Sequence, residues 1–285
     1  MSTLADALAW TVDALRDAGI PNPRAEAQWL LADLRCVSRS ELPLHVHQVL
    51  TPTQQQRLQT AVGQRLKRVP LQQVLGQTEF FSFPFKITPH VLIPRPETEI
   101  LVETLVNRLK GHSAPRILDI GTGSGAVAVA LAHTLPGSRI VATDLSADAL
   151  QTARENVRLN CVADRVAFLQ GDLLSPFCSR PVFHALASNP PYIPSADLAH
   201  LQPEVRDFEP HLALDGGPDG LRFYRPLISQ AGACLLRGGW LALEVADGQA
   251  PRVAALLSRC SEFRQIETVR DLGGIERVLL ARKRR

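Results

Sequence analysis

The 285-residue chain has no apolar run near the roughly 18 residues needed to cross a bilayer, because charges or helix breakers interrupt every candidate. It also lacks a basic leader, since Met1 to Asp17 carries acids where a secretory segment would carry lysine or arginine. A soluble cytoplasmic protein without a membrane partner is expected. No Cys-x-x-Cys pair occurs. Cys36, Cys161, Cys178, Cys234 and Cys260 are odd in number and scattered, which argues against both a disulfide framework and a zinc site. They read as reduced, mostly packing thiols. Nor is there a large charge excess: a net charge of +3 is too small for an extended nucleic-acid surface, so no stable nucleic-acid partner is expected. Only Arg282-Lys283-Arg284-Arg285 is strongly basic, and it reads as a frayed, solvated tail, with RNA contact the alternative.

What is present is enough apolar side chain, 45% of the residues, for an α/β core plus a smaller domain. From Ser2 to about Leu75 the spacing is helical: Leu4, Leu8, Val12 and Leu15 recur at three and four residues, as do Leu30, Leu31 and Leu34. A third helix is expected where Thr51 can cap and Pro52 fits the first helical position, running through Leu58, Val62 and Leu66. Glu79 to Ser82 and Phe85 to Thr88 flank Phe83-Pro84 and read as a short hairpin. Beyond it, strand-like runs at Arg116–Ile120, Arg139–Thr143, Val166–Leu169, Phe183–Ala187 and Trp240–Val245 alternate with helical or loop segments, as in a parallel sheet with crossover helices. Phe263–Val269 and Glu276–Ala281 are linked by only six residues, which suits an antiparallel hairpin. The expectation is an α/β fold with a Rossmann-like, seven-stranded, mostly parallel sheet, an antiparallel hairpin at its C-terminal end and a small all-helical N-terminal domain. It divides into residues 1–75, a hairpin and proline-rich arm at 76–97, and a main domain at 98–285.

Ile117 to Gly125 places an apolar strand before the turn Gly121-Thr122-Gly123-Ser124-Gly125 and a helix from Ala126 to Leu135. Glycines let the backbone turn sharply and approach a ligand, and the helix start beyond supplies free N–H groups. Asp144 ends the next strand, where its carboxylate can accept from a ribose diol. Gly121-x-Gly123-x-x-Ala126 also satisfies a loose dinucleotide fingerprint, so a dinucleotide oxidoreductase competes. Asp119 favours a ligand carrying an ammonium group over one carrying pyrophosphate, which it would repel. Asp172, after the third strand, can receive an adenine amino group or sit in a solvated loop.

Ser188-Asn189-Pro190-Pro191-Tyr192 follows the fourth strand, at the sheet's carboxyl edge, where ligands of open α/β folds bind. A nitrogen conjugated to a carbonyl or an aromatic ring is a poor nucleophile and needs acceptors that hold its N–H bonds while a one-carbon group approaches in line. The Asn189 side-chain oxygen and the Pro190 carbonyl can serve, two prolines stiffen the corner, and Tyr192 can form a flat wall.

Together these residues resemble the bacterial peptide chain release factor glutamine methyltransferases over nearly the whole chain. Asn-Pro-Pro-Tyr is shared with adenine-N6 DNA and some guanine-N2 ribosomal RNA methyltransferases. Val91-Leu92-Ile93-Pro94-Arg95-Pro96-Glu97-Thr98-Glu99 is more particular to the family, as are the strings Leu201 to Pro210, Ala213 to Leu221 and Asp271 to Arg277. The resemblance implies S-adenosylmethionine as cofactor, held by Gly121 to Gly125, Asp144, Asp172, Leu173 and Asn189. It implies class 1 release factors as protein substrate, with the glutamine amide of their Gly-Gly-Gln motif held by Asn189, Pro190, Pro191 and Tyr192. It also implies that the helical domain, residues 1–75, helps grip the release factor. His90 stands where many members have glycine, Leu173 where an aromatic often flanks the adenine, and Ala246-Asp247-Gly248 where a glycine commonly comes sooner.

The Pro94-Arg95-Pro96-Glu97 string suits either a rigid arm fixed by Arg95 and Glu97 or simply the start of the helix through Leu101, Leu105 and Leu109. His45-x-His47 has no third ligand nearby and reads as a loop, so no metal is assigned. A nucleic-acid N-methyltransferase remains the main alternative, though residues 1–75 mix acids and bases and carry only Trp10 and Trp29 as aromatics. A non-catalytic nucleotide-binding module is the other, against which the intact Asn189 to Tyr192 string argues.

Overall fold

A computed structural model describes residues 3–177 and 181–284. Met1, Ser2, Cys178 and Arg285, named above in the first helix, the thiols and the basic tail, lie outside the described residues. The chain forms two compact units: Met1–Gln77 with Gln202–Phe208, and Thr78–Leu201 with Glu209–Arg285.

The first unit is helical: α1 (Leu4–Asp17), α2 (Pro23–Arg35), α3 (Pro52–Leu66) and α4 (Leu71–Leu75). Thr3 and Asp6 cap α1 reciprocally, and Thr51 and Gln54 do the same for α3, with Pro52 at its first turn as its missing N–H allows. Leu4, Ala7, Thr11 and Leu15 turn one face of α1 inward, where Leu30, Leu31, Leu58 and Val62 complete the core. This interior also holds a charge. Arg65, 1% exposed, donates from Nε to Glu26 at 2.7 Å and from Nη2 to Glu204 at 3.3 Å, and Arg68 pairs with Glu204 at 2.8 Å. The segment Gln202–Phe208 is thus bonded into the helical unit, and Gln73 Nε2 donating to the Phe208 carbonyl at 3.0 Å adds to the attachment.

The second unit opens with a hairpin, β1 (Gln77–Phe80) and β2 (Phe83–Lys86). Its turn is Phe81-Ser82, not Phe83-Pro84 as the sequence suggested. Both turn residues adopt positive φ, 53° and 62°, as a two-residue turn matched to strand twist demands, and Pro84 lies within β2. There follow α5 (Glu99–Leu109), β3 (Arg116–Ile120), α6 (Ala126–Thr134), β4 (Arg139–Asp144), α7 (Ala147–Leu159), β5 (Val166–Gln170) and β6 (Phe183–Ser188). The short α8 (Pro203–Arg206) lies in the segment taken by the helical unit. Then come α9 (Tyr224–Cys234), β7 (Leu235–Glu244), α10 (Ala250–Arg259), β8 (Phe263–Arg270) and β9 (Glu276–Lys283).

Among the described residues seven strands form one sheet in the order β5-β4-β3-β6-β7-β9-β8, parallel except for β9 against β7 and β8. The α/β fold with an antiparallel C-terminal pair is therefore as the sequence indicated. Ala126 to Ala132 of α6 are buried all round, consistent with a helix whose hydrophobicity has no polar face. Chain order runs outward from β3 toward β5 on one side and from β6 toward β7 on the other. The carboxyl ends of β3 and β6 thus border a topological switch point, where open α/β sheets place ligands.

Two sequence readings are corrected here. The basic tail is not frayed: Arg282 and Lys283 belong to β9, Arg282 Nε donates to the Gly238 carbonyl at 3.1 Å, and Lys283 Nζ donates to the Leu235 carbonyl at 2.9 Å. Of the described thiols only Cys234 is fully buried. Cys36 and Cys161 are exposed in left-handed conformation just past α2 and α7. No helix of the described residues is long and apolar enough to cross a membrane.

Candidate active site

The glycine turn leaves β3 with Gly121, Gly123 and Gly125 at φ of 70°, 54° and 82°, a region that favours glycine. A Cβ on Gly125 would also stand 3.2 Å from that of Ala153. Asp144, at the end of β4, accepts the Gly123 N–H through Oδ2 and the Ser146 N–H through Oδ1, both at 2.9 Å. Burial raises its pKa, and those two N–H donors oppose the rise. From α7, Asn156 donates to the Ser124 carbonyl at 2.8 Å and to the Lys86 carbonyl at 3.1 Å, tying the turn to the hairpin.

Asp119 takes a different part from the one read in the sequence. It is 2% exposed and accepts the Thr122 hydroxyl at 2.6 Å beneath the turn. Burial pushes its carboxyl up to about 7, against the Thr122 bond and with the help of nearby Asp144. It braces the turn and does not line the cavity above it.

That cavity, about 880 Å³ with its solvent mouth, is walled by Gly121, Gly123, Asp144, Asp172, Leu173, Asn189, Pro190 and Pro191. These predicted residues, drawn from four strand ends, are brought together. Thr122, Ser124, Gly125 and Tyr192 are not in its walls: the first three serve the underside and exit of the turn. Leu145, Leu212 and Phe223 add apolar surface beside Leu173 that sequence reasoning did not identify. Phe223 supplies an aromatic ring on a wall where Leu173 has none.

The corner after β6 is clamped from several sides. Ser188 Oγ donates to the Ile120 carbonyl at 2.8 Å, joining β6 to β3 just before the glycine turn. Asn189 Nδ2 donates to Thr98 Oγ1 at 3.1 Å. Ile193 bridges in parallel to Asp215. Gln249 Nε2 donates to the Tyr192 and Gly220 carbonyls at 3.3 and 2.9 Å. A Cβ on Gly216 would fall 2.7 Å from the Tyr192 carbonyl carbon, and one on Gly220 would fall 2.4 Å from its oxygen. The glycines of the Ala213 to Leu221 string therefore let a second chain segment press on the corner. Tyr192 packs against the core of the sheet unit, and burial, with Glu244 nearby, pushes its phenol up to about 12.

Both readings of the proline-rich arm contain something of the structure. A 3-10 turn, Pro96–Thr98, leads directly into α5, but the Thr98 hydroxyl bonds across to Asn189 and does not cap the helix. Arg95 Nη2 pairs at 2.6 Å with Glu209, which is 4% exposed.

Sequence reasoning missed Glu244. It ends β7, is 2% exposed, and has burial pushing its carboxyl up to about 7, while hydrogen bonds from Thr98 and Asn189 and the charge of Arg277 pull the other way. The available signal was an acid closing the apolar run Trp240 to Leu243 at the same sheet edge as Asn189. Among the described residues no group of three His, Cys, Asp or Glu could hold a metal ion, and His45 Nδ1 is hydrogen-bonded to Gln48.

Comparison with known proteins gives two matching family models: a PrmC N-terminal domain over residues 6–76 and a methyltransferase small domain over residues 96–203. The chain is 43% identical to a release factor glutamine methyltransferase of Moorella thermoacetica, covering 99% of each. It is 42% identical to one of Geobacter sulfurreducens, covering 97% of this chain and 95% of that relative. A solved methyltransferase of Pyrococcus furiosus, 18% identical, overlaps 82% of this chain and 100% of its own at a TM-score of 0.55, a likeness of fold.

Proposed function

The chain belongs to the release factor glutamine methyltransferases, and from that premise we propose that it methylates the glutamine side-chain amide nitrogen in the Gly-Gly-Gln motif of class 1 peptide chain release factors, with S-adenosylmethionine as cofactor. The residues around the cavity fit that cofactor. Gly121 and Gly123 expose bare backbone, Asp144 keeps lone pairs for a ribose diol, and Leu145, Leu173 and Phe223 offer apolar surface beside Asp172 for an adenine. When bound, S-adenosylmethionine supplies a methyl group made electrophilic by a sulfonium centre.

One observation carries the reading of the substrate: the amino end of Asn189 is bonded to Thr98, which leaves Oδ1 as the end offered to the cavity. An amide nitrogen has its lone pair delocalised and carries two N–H bonds. Asn189 Oδ1 and the Pro190 carbonyl can accept both, and neither Pro190 nor Pro191 brings an N–H to compete. The nitrogen becomes acidic only as it gains its new bond, so the corner needs fixed acceptors that strengthen as positive charge develops, not a base at the outset. Clamping by Gly216, Gly220 and Gln249 keeps those oxygens in place before substrate arrives. In this reading the helical unit, residues 1–75, recognises the release factor.

An adenine amino group would satisfy the same acceptors, so the deciding experiment offers both. The purified chain is incubated with labelled S-adenosylmethionine and either a release factor or DNA. The expected result is label in the release factor, confined by peptide mapping to the glutamine of Gly-Gly-Gln. Label in DNA and none in the protein would reverse the assignment.

A further inference from the structure

An asparagine amide has two ends of nearly equal size, one a donor and one an acceptor. Shape alone does not choose which faces a cavity; hydrogen-bond partners do. At Asn189 the partners come from α5's leading turn and from β7. Asn189 Nδ2 donates to Thr98 Oγ1 at 3.1 Å, and the Glu244 carboxyl stands near enough to both side chains for their hydrogens to lower its pKa. The register that pairs Ser188 with Leu243 sets Glu244 beside Asn189. A hydroxyl that accepts from Asn189 must send its own hydrogen elsewhere, and the neighbouring Glu244 carboxylate is an acceptor placed to draw it. Glu244 is 2% exposed, no ion pair reaches it among the described residues, and its Oε2 has no hydrogen-bond partner there. A carboxylate so placed is costly to bury and adds nothing to packing that an apolar residue would not, which marks it as kept for the site.

We propose that Glu244 is a positioning residue for methyl transfer: as an acceptor-only carboxylate it orders the Thr98 hydroxyl and the Asn189 amino group, and so turns Asn189 Oδ1 toward the substrate nitrogen. Once protonated, Glu244 becomes a donor. The Thr98 hydroxyl then loses its direction, and the amide can present its amino end to the cavity, where it opposes the substrate N–H. The inference rests on Asn189 Oδ1 accepting from the substrate, as argued above.

The groups facing Glu244 decide where that change falls. Burial raises its carboxyl most, Glu97 from the 3-10 turn adds to the rise, and Arg277 from β9 opposes it, leaving it at about 7. Tyr192 from the corner is pushed up to about 12. Tyr224 from α9, which donates to the Glu244 backbone carbonyl at 2.7 Å, is raised as well, so both phenols stay neutral throughout the relevant range. Glu97 and Arg277 are the charges that remain. Glu244 is ionised above about 7, so transfer is expected to fall as pH drops through that value.

The test pairs kinetics on the full chain with a readout that needs no turnover. In wild type, kcat for release factor methylation is expected to fall about tenfold per pH unit below the midpoint near 7. Glu244→Gln, close to isosteric, should lower kcat about tenfold or more at alkaline pH and abolish that limb, with the cofactor dissociation constant within about threefold of wild type. Thr98→Val should lose a similar amount, add little to Glu244→Gln, and be largely rescued by Thr98→Ser. In the protein alone, the side-chain N–H resonances of Asn189 should titrate with a midpoint near 7 and be flat in Glu244→Gln. Flat Asn189 resonances in wild type, or a Glu244→Gln enzyme with wild-type kcat and an intact limb, would overturn the proposal. If wild type methylates no release factor the functional reading fails, and the Asn189 titration decides the role of Glu244 by itself.

Discussion

Arg65 in the helical unit and Asp119 in the sheet unit are almost equally buried, at 1% and 2% exposed, yet they are held in opposite ways. Arg65 meets two carboxylates, Glu26 and Glu204, and Glu204 meets a second cation, Arg68. Asp119 has no ion pair among the described residues and is held by the Thr122 hydroxyl. Glu244 follows Asp119 in this. Paired charge in the helical unit fixes a chain path, since it binds Gln202–Phe208 to the helices. Asp144 in the cavity wall, Asp119 beneath the glycine turn and Glu244 beside Asn189 have no ion pair among the described residues and are each raised by burial, so a change in their protonation state has consequences for the site.

The largest effect that sharpens this contrast is expected at Arg65. Arg65→Ala leaves Glu26 and Glu204 facing one another without their shared cation and should cost about 3–5 kcal/mol in denaturant unfolding of the full chain. A cost below about 1 kcal/mol would show that the pairing is incidental and break the comparison.

A smaller, pH-dependent effect is expected at Asp119. Its carboxyl is raised in the fold to about 7 from an ordinary 3.8, so the unfolded chain gives up this proton first as pH rises. Between those two values the folded state binds more protons than the unfolded one. Stability from this group therefore falls as pH climbs through that window and levels off above it. Asp119→Asn removes the ionisation and should flatten the profile by on the order of 2 kcal/mol, measured as unfolding free energy against pH. An unchanged profile in the mutant would mean that Asp119 does not carry the shift.

Much of the fold was legible because strand and helix periods are local. Arg116–Ile120 is β3 to the residue, and Thr51 with Pro52 starts α3 as its chemistry demands. Errors arose where a local signal competed with a longer-range one. Proline at 84 suggested a turn, but the two positive-φ residues before it provide one, and Pro84 stays in a strand. The charges at Arg282 and Lys283 suggested a solvated end, yet both side chains donate to backbone carbonyls about 44 and 48 residues away along the chain. The candidate site was legible in its glycines, its acid at 144 and its Asn-Pro-Pro-Tyr corner. Its supports were not. Thr98 is 91 residues from Asn189, Asn156 is 32 from Ser124, and Glu244 reaches the corner only through strand register, so no spacing in the sequence announces them. Asp119 was read as facing the ligand, whereas it lies beneath the turn, because a strand pattern tells which face a residue occupies but not that Thr122 folds back over it.

Replacing Asn189 with alanine, and measuring cofactor binding and methyl transfer separately on the intact chain, is the most direct measurement of whether this corner holds the amide nitrogen. Transfer should fall roughly a hundredfold or more while cofactor affinity stays within about tenfold of wild type, because an orienting acceptor is lost and the cofactor walls remain. Undiminished transfer in Asn189→Ala, or a loss fully accounted for by weakened cofactor binding, would contradict it.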